Sequence, residues 1–112
     1  MSIVEEKDAE AGITILRPIG RVDSTNAPDM EKLLRGALDA GVTKVIFDLA
    51  QLDYISSAGL RVILMAAKKL RGSGSVVLTG MQEGVRDVFA MSGFLALFPL
   101  MAHTLEEGKK LL

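Results

Sequence analysis

Two adjacent serines, Ser56 and Ser57, lie where a predicted buried strand and its connection lead into a predicted helix. A serine at a helix start has two ordinary roles. Its hydroxyl can accept a hydrogen bond from a backbone N–H as an N-cap, which contributes about 1 kcal/mol. It can instead face solvent and receive a phosphate, because free N–H groups and the helix dipole favour a negative charge there. The spacing favours the cap, and both roles hold if Ser56 caps the helix and Ser57 faces outward.

A serine hydrolase site is the competing interpretation of the same residues. The pentad Ser56–Leu60 differs from the G-x-S-x-G nucleophile elbow. The general base would have to be His103, the one histidine of the chain, and the sequence offers no residue to orient it. We therefore expect a protein that is not an enzyme.

Residue counts limit the metal and cofactor chemistry of the chain. With no cysteine it has no disulfide, thiolate nucleophile or cysteine-ligated zinc, and one histidine excludes sites that need two imidazoles from one chain. Three aspartates, Asp23, Asp48 and Asp53, could gather at one edge of a sheet. Scattered carboxylates without motif spacing usually cap loops, and a magnesium site is the less common outcome. We predict no metal and no cofactor.

Charge argues against a nucleic-acid partner. Thirteen Lys and Arg residues against fourteen Asp and Glu residues give a net charge of −1. Lys68, Lys69 and Arg71 form a small basic group late in the second predicted helix, where cations complement the helix dipole. No aromatic residues are interleaved with them, as a nucleic-acid surface would require.

The length of 112 residues and the hydrophobic content of 49% predict one globular domain, residues 1–112, with one core. The amino terminus is acidic where a signal peptide would be basic. The longest apolar run, Phe94–Ala102, has nine residues and contains Pro99. A membrane span needs about 20 apolar residues. We expect a cytoplasmic protein with no direct membrane insertion; its oligomeric state is not predicted.

Strand and helix patterns alternate from Lys44 onward and predict an α/β fold. We expect a single domain with a mixed β-sheet of about four to five strands, an N-terminal hairpin and about four packed helices. Thr25 or Asn26 is predicted to cap the first helix, and Pro18 suggests an edge strand or a strand end. The predicted strands are Ile3–Glu6, Ile13–Ile19, Lys44–Leu49, Ser75–Thr79 and Phe98–Met101. The first predicted helix carries an apolar stripe over residues 30–38, the second spans Leu60–Leu70, and the third carries an apolar stripe over residues 81–89. A fourth helix is predicted to begin at Thr104. The segment Ala50–Ile55 is predicted to be a connection.

The segment Asp48–Leu64, which reads DLAQLDYISSAGLRVIL, resembles the signature of the STAS domain. This family includes bacterial anti-sigma factor antagonists, also called anti-anti-sigma factors, and the cytoplasmic ends of sulfate transporters. Two further segments agree in order and spacing. Gly20–Asp23 followed by Asn26 is similar to the family's loop before its first helix, and residues 92–99 are similar to its late segment. The resemblance therefore covers nearly the whole chain.

The resemblance implies a phosphorylation switch. In the family, a serine at the helix start is phosphorylated by an anti-sigma factor that is itself a serine kinase, and a PP2C-type phosphatase reverses the reaction. The unphosphorylated form binds the anti-sigma factor and frees the sigma factor. Matching Gly59 and Leu60 to the family's Asp-Ser-Ser/Thr-Gly-Leu motif places Ser57 on the phosphoacceptor, with Ser56 as the second choice. Ser56 stands where the family has Asp, which removes a charge beside the acceptor.

A partner-binding surface follows from the same resemblance, together with an apolar patch near the third helix. Core packing is the commoner fate of such apolar residues, but a subset near Met91 and Phe94 is expected to remain exposed. The alternative is a STAS adaptor or scaffold subunit of a larger signalling or membrane-transport complex that is never phosphorylated. The predicted partner-binding residues are Asp23, Ser24, Thr25, Asn26, Ser56, Ala58, Gly59, Arg61, Met91 and Phe94.

Overall fold

A computed structural model describes residues 2–97 and 100–112 of the chain. Its strands are β1 Ser2–Asp8, β2 Ile13–Val22, β3 Lys44–Asp48, β4 Leu52–Ile55, β5 Ser75–Thr79 and β6 Met101–Ala102. Its α-helices are α1 Ala27–Asp39, α2 Ser57–Leu70, α3 Glu83–Met91 and α4 Leu105–Lys110, with a 3₁₀ turn at Phe94–Leu97. The predicted α/β class, with an N-terminal hairpin and four helices, is confirmed.

The strands form one mixed sheet in the order β1-β2-β3-β5-β6. β1 runs antiparallel to β2, and the other pairs are parallel. β2 is long enough to pair with β3 along Ile13–Leu16 and then with β4 along Gly20–Val22. The described part of the sheet thus has six strands, where four to five were predicted.

The additional strand is β4, and the prediction that Ala50–Ile55 is only a connection was wrong. β4 has four residues, and the two in its middle, Asp53 and Tyr54, are exposed. Such a segment lacks the continuous apolar run that predicts a buried strand. Its pairing with β2 defines it as a strand.

Pro18 lies inside β2, and the prediction of an edge or terminal position for it was wrong. Its neighbour two residues on, Gly20, donates its N–H to the carbonyl of Gln51 at 2.9 Å. Because backbone groups alternate sides along a strand, the nitrogen of Pro18 faces the same side of β2. On that side the pairing with β3 ends at Leu16 and the pairing with β4 starts at Gly20. Proline, which has no N–H, fits this gap between the two ladders.

The two faces of the sheet are covered unequally. One face packs against α1, α2 and α3 in the main core, where Phe47, Ile63 and Phe89 are fully buried. The other face carries a smaller cluster that α4 covers. The members of this cluster are Ile13, Ile15, Ile46 and Val77, with Leu100, Leu105 and Leu112 packed against them.

Three helix ends follow their sequence signals: the last turns of α1 and α3 and the start of α4. Gly41 and Gly93 follow α1 and α3 with φ of 89° and 79°, a conformation that glycine adopts without strain. Thr104 accepts a hydrogen bond from the N–H of Glu107 and so caps α4 as predicted. The last strand is Met101–Ala102, later than the predicted Phe98–Met101, of which Phe98 and Pro99 lie outside the described residues. In the described ranges, none of the helices has the length and apolar character of a membrane span.

Candidate functional site

The carboxyl ends of β2 and β4 bring two predicted segments together. Val22, the last residue of β2, pairs with Ile55, the last residue of β4. The N–H of Ser56 then donates to the carbonyl of Val22 at 2.9 Å. The loop over residues 23–26 follows β2 and α2 follows β4, so both begin at the same edge of the sheet. This is the edge of a parallel sheet at which functional loops commonly collect.

Internal hydrogen bonds hold the loop between β2 and α1. A carboxylate oxygen of Asp23 accepts from the N–H of Thr25 at 3.0 Å and from its hydroxyl at 2.6 Å. The hydrogen bond from the Thr25 hydroxyl has the larger effect and the bond from its N–H the next, and together they hold the pKa of the Asp23 carboxyl below its ordinary value. Ser24 and Thr25 are exposed. Their side chains are therefore presented to solvent on an ordered loop.

Asn26 stabilises this loop and does not cap the helix. It occupies the N-cap position of α1, but its side chain makes no capping hydrogen bond. Its Oδ1 accepts from the N–H of Asp23 at 2.8 Å, and its Nδ2 donates to the carbonyl of Arg21 at 3.0 Å. The predicted cap from Thr25 or Asn26 was therefore wrong. The amide bonds back to the chain before the helix, which ties the loop to the end of β2.

The two serines at the start of α2 have different environments. Ser56 is the N-cap residue with extended backbone, yet its hydroxyl makes no capping bond. Its Oγ is buried and has no hydrogen-bond partner among the described residues. Ser57 is the first helical residue, and its side chain is exposed. The prediction that Ser56 caps the helix was wrong, and the outward position of Ser57 agrees with the sequence.

Gly59 lets α2 approach the sheet closely. A Cβ atom added at this position would lie 2.7 Å from Cγ1 of both Ile55 and Val22. Real Cβ contacts are longer, so any side chain here would push the helix away from the strand ends. Ala58 is half-buried and packs against the core. These two residues position the start of the helix, and Arg61, one turn further along, is exposed.

The predicted apolar residues of the third helix region differ in exposure. Met91, the last residue of α3, is 89% exposed, whereas Phe94 is half-buried and packs against the core. α3 packs on β4, the strand that leads into Ser56. The structure therefore places the end of α3 on the layer that also holds α2, with Met91 free to contact a partner.

One feature of the site was missed from the sequence. Arg21 and Tyr54 are cross-strand partners on β2 and β4, and the Arg21 guanidinium lies 4.3 Å from the centre of the Tyr54 ring. This cation–π pair adjoins the loop, because the carbonyl of Arg21 accepts from Asn26. No sequence signal could reveal it while β4 was taken for a connection.

The sequence also raised a metal site and a serine hydrolase site as less favoured alternatives. Asp48, 7% exposed, accepts from Nε of Arg17 at 2.9 Å and from the N–H of Ala50 at 3.2 Å, so it serves the structure. Residues 2–97 and 100–112 contain no group of three or more His, Cys, Asp or Glu side chains that could hold a metal ion. His103 follows β6, and the sheet order places β3 and β5 between that strand and β2. Ser57 thus has no histidine base beside it.

Comparison with known proteins decides the family. A sequence model of the STAS domain matches residues 6–108. The chain belongs to the STAS domain family. This STAS protein is 50% identical over 82 residues to the putative anti-sigma factor antagonist BtrV of Bordetella bronchiseptica, a match that covers 72% of the chain and 71% of the relative.

Solved structures share the fold of this STAS protein. A putative anti-sigma factor antagonist from Thermotoga maritima has a TM-score of 0.86 at 22% identity, covering 96% of this chain and 92% of that one. The Bacillus cell fate determinant SpoIIAA in its phosphorylated form has a TM-score of 0.77 at 22% identity, covering 97% of each chain. The family and fold predicted from the sequence are confirmed, and the predicted function agrees with the names of these relatives. The site residues remain predictions.

Proposed function

We propose that this STAS protein is an anti-sigma factor antagonist that phosphorylation of Ser57 switches off. In the unphosphorylated form it binds an anti-sigma factor that is also a serine kinase, and a sigma factor is freed. A PP2C-type phosphatase restores this form in the cytoplasm. The observation that carries the proposal is the exposed position of Ser57 as the first residue of α2, beside the loop 23–26.

Accessibility supports Ser57 over Ser56 as the phosphoacceptor. A kinase must place the accepting hydroxyl oxygen next to the γ-phosphorus of ATP, in line with the bond to the leaving ADP oxygen. The Oγ of Ser56 is buried beneath the start of the helix, whereas Ser57 is exposed. Phosphate transfer to Ser56 would require the start of α2 to open first.

The local electrostatics suit a reversible phosphate. Phosphorylation adds about −1.5 to −2 charges and three acceptor oxygens. The helix N-terminus tolerates this charge, because its free N–H groups and its dipole attract anions. A partner that packs on the same surface would instead have to desolvate the phosphate. The switch therefore needs no change of fold, only a blocked surface.

The proposed interface spans the loop, the start of α2 and the end of α3. Ser24, Thr25 and Arg61 supply exposed polar groups. Met91 supplies an exposed flexible apolar side chain, which suits an adaptable contact. Gly59 contributes by holding the helix against β2 and β4, since its own position is buried.

Phosphate transfer tests the acceptor directly. The protein is incubated with ATP and the kinase that co-purifies with it, and the phosphorylated peptide is identified by mass spectrometry. We expect wild type and the matched control Ser56→Ala to take up phosphate, and Ser57→Ala to take up none. Phosphate uptake by Ser57→Ala equal to that of wild type would overturn the assignment.

Partner binding tests the switch. We expect Ser57→Asp to bind the anti-sigma factor more weakly than wild type and Ser57→Ala to bind it equally well, measured by calorimetry. Equal affinities of the two variants would contradict the interface. An affinity pull-down that recovers subunits of a membrane-transport complex and no kinase-like ATPase would favour the scaffold alternative.

A further inference from the structure

The outward side of α2 carries positive charge and no carboxylate. Its 14 residues include Arg61, Lys68 and Lys69 and neither Asp nor Glu. Ser57, Arg61 and Lys68 are all exposed. Their spacing of four and then seven residues places them on one side of the helix. A row of cations therefore begins one turn after the proposed phosphoacceptor.

Among the described residues, Arg61 makes no ion pair of the kind that Arg17 and Arg35 make. Arg17 pairs with Asp48 and Glu6, and Arg35 pairs with Glu31. Within the described ranges, Arg61 takes part in no ion pair, side-chain hydrogen bond or ring contact. Its guanidinium is therefore free to bind an anion brought to this surface.

We propose that Arg61 captures the phosphate on Ser57 and so removes from the surface a cation that the unphosphorylated protein offers to an acidic group of the anti-sigma factor. The inference rests on the proposed function, because Ser57 must be the phosphoacceptor. Helical residues four apart have Cβ atoms about 5–6 Å apart, and an acid four residues before a base is the favourable orientation. The planar guanidinium can donate two parallel hydrogen bonds to phosphate oxygens.

Capture of the phosphate by Arg61 gives phosphorylation two effects on the contact with the anti-sigma factor. The phosphate, with about −1.5 to −2 charges, repels an acidic partner surface. Its pairing with Arg61 also withdraws the cation that would attract that surface. The loss of affinity on phosphorylation therefore exceeds the loss that the phosphate alone would cause, and the excess depends on Arg61.

Titration of the phosphate by ³¹P NMR tests capture without any partner. Phosphoserine is incorporated at position 57 during translation. We expect the second pKa of the phosphate to be lower in the phosphorylated protein that keeps Arg61 than in the phosphorylated Arg61→Gln variant, because the guanidinium favours the dianion. Lys68→Gln is the matched control: it removes the same charge about 16 Å along the helix from Ser57, beyond the screening length of about 8–10 Å. Equal pKa values in wild type and Arg61→Gln would overturn the inference.

Binding to the co-purified anti-sigma factor tests the consequence. We expect phosphorylation to raise the Kd of wild type for the anti-sigma factor by a larger factor than it raises the Kd of Arg61→Gln. The ratio of the two factors should be about two to five, the range for exposed charge pairs. Lys68→Gln should keep the wild-type factor. Identical factors for wild type and Arg61→Gln would show that Arg61 is not withdrawn from the interface. If the anti-sigma factor binds both phosphorylation states equally, the proposed function fails, while the titration still decides whether Arg61 holds the phosphate.

Discussion

Replacing Ser56 by alanine should stabilise the protein, although it removes a serine from a helix N-cap. Such substitutions ordinarily cost about 0.5–2 kcal/mol, because the serine oxygen accepts a hydrogen bond from the first turn. The hydroxyl of Ser56 makes no such bond, and its Oγ is buried without a partner. A buried hydroxyl that lacks a hydrogen bond costs about 1–3 kcal/mol. We therefore expect Ser56→Ala to raise the free energy of unfolding by about 1 kcal/mol.

Urea denaturation of Ser56→Ala and Thr104→Ala in parallel makes the comparison sharp. Thr104 caps α4 through a 3.2 Å bond from the N–H of Glu107, so its replacement should lower the free energy of unfolding by about 1 kcal/mol. The two alanine variants should thus shift the midpoint in opposite directions with an unchanged denaturant slope. A loss of stability in Ser56→Ala as large as that in Thr104→Ala would mean that Ser56 caps α2, and the reasoning would be wrong.

Three further tests, which use four substitutions, examine the structure that supports the site. Gly59→Ala should lower the free energy of unfolding by about 1–3 kcal/mol, because the new Cβ meets two core side chains. Gly36→Ala, in open space within α1, is the control and should raise the free energy of unfolding by up to about 1 kcal/mol. Denaturation curves in which both variants gain stability would contradict this reasoning. Asp48→Asn should lose about 2 kcal/mol in the same measurement, because the charge-assisted bond from Arg17 is removed; an unchanged midpoint would show that the pair contributes nothing. The folded pKa of Asp23 lies below its ordinary value of 3.8, so its contribution to stability is present above pH 3.8 and is lost as the pH falls through the folded pKa. Stability measured from pH 5 to pH 2 should therefore fall less steeply in Asp23→Asn than in wild type, and parallel curves would refute the assignment.

Elements with a strong local pattern could be predicted from the sequence. β3 and β5 are short apolar runs, and the structure buries Ile46 and Val77 fully within the sheet. α1 and α3 show helical spacing of apolar residues and end at glycines with positive φ. β4 shows no such pattern, because its two central residues are exposed and its pairing partner, β2, lies about 30 residues earlier in the chain.

The sequence by itself determined the fold class, the order of most elements, the family signature and the serines at the start of α2. Each depends on neighbouring residues, through periodicity, chain-breaking glycines and a motif. Only the tertiary structure decided what those serines do. Val22 and Ile55 become neighbours through strand pairing, and that register lets Gly59 bring α2 down onto them. This close approach accompanies a buried Ser56 hydroxyl and an exposed Ser57. Burial depends on contacts between segments distant in the chain, which local sequence does not encode.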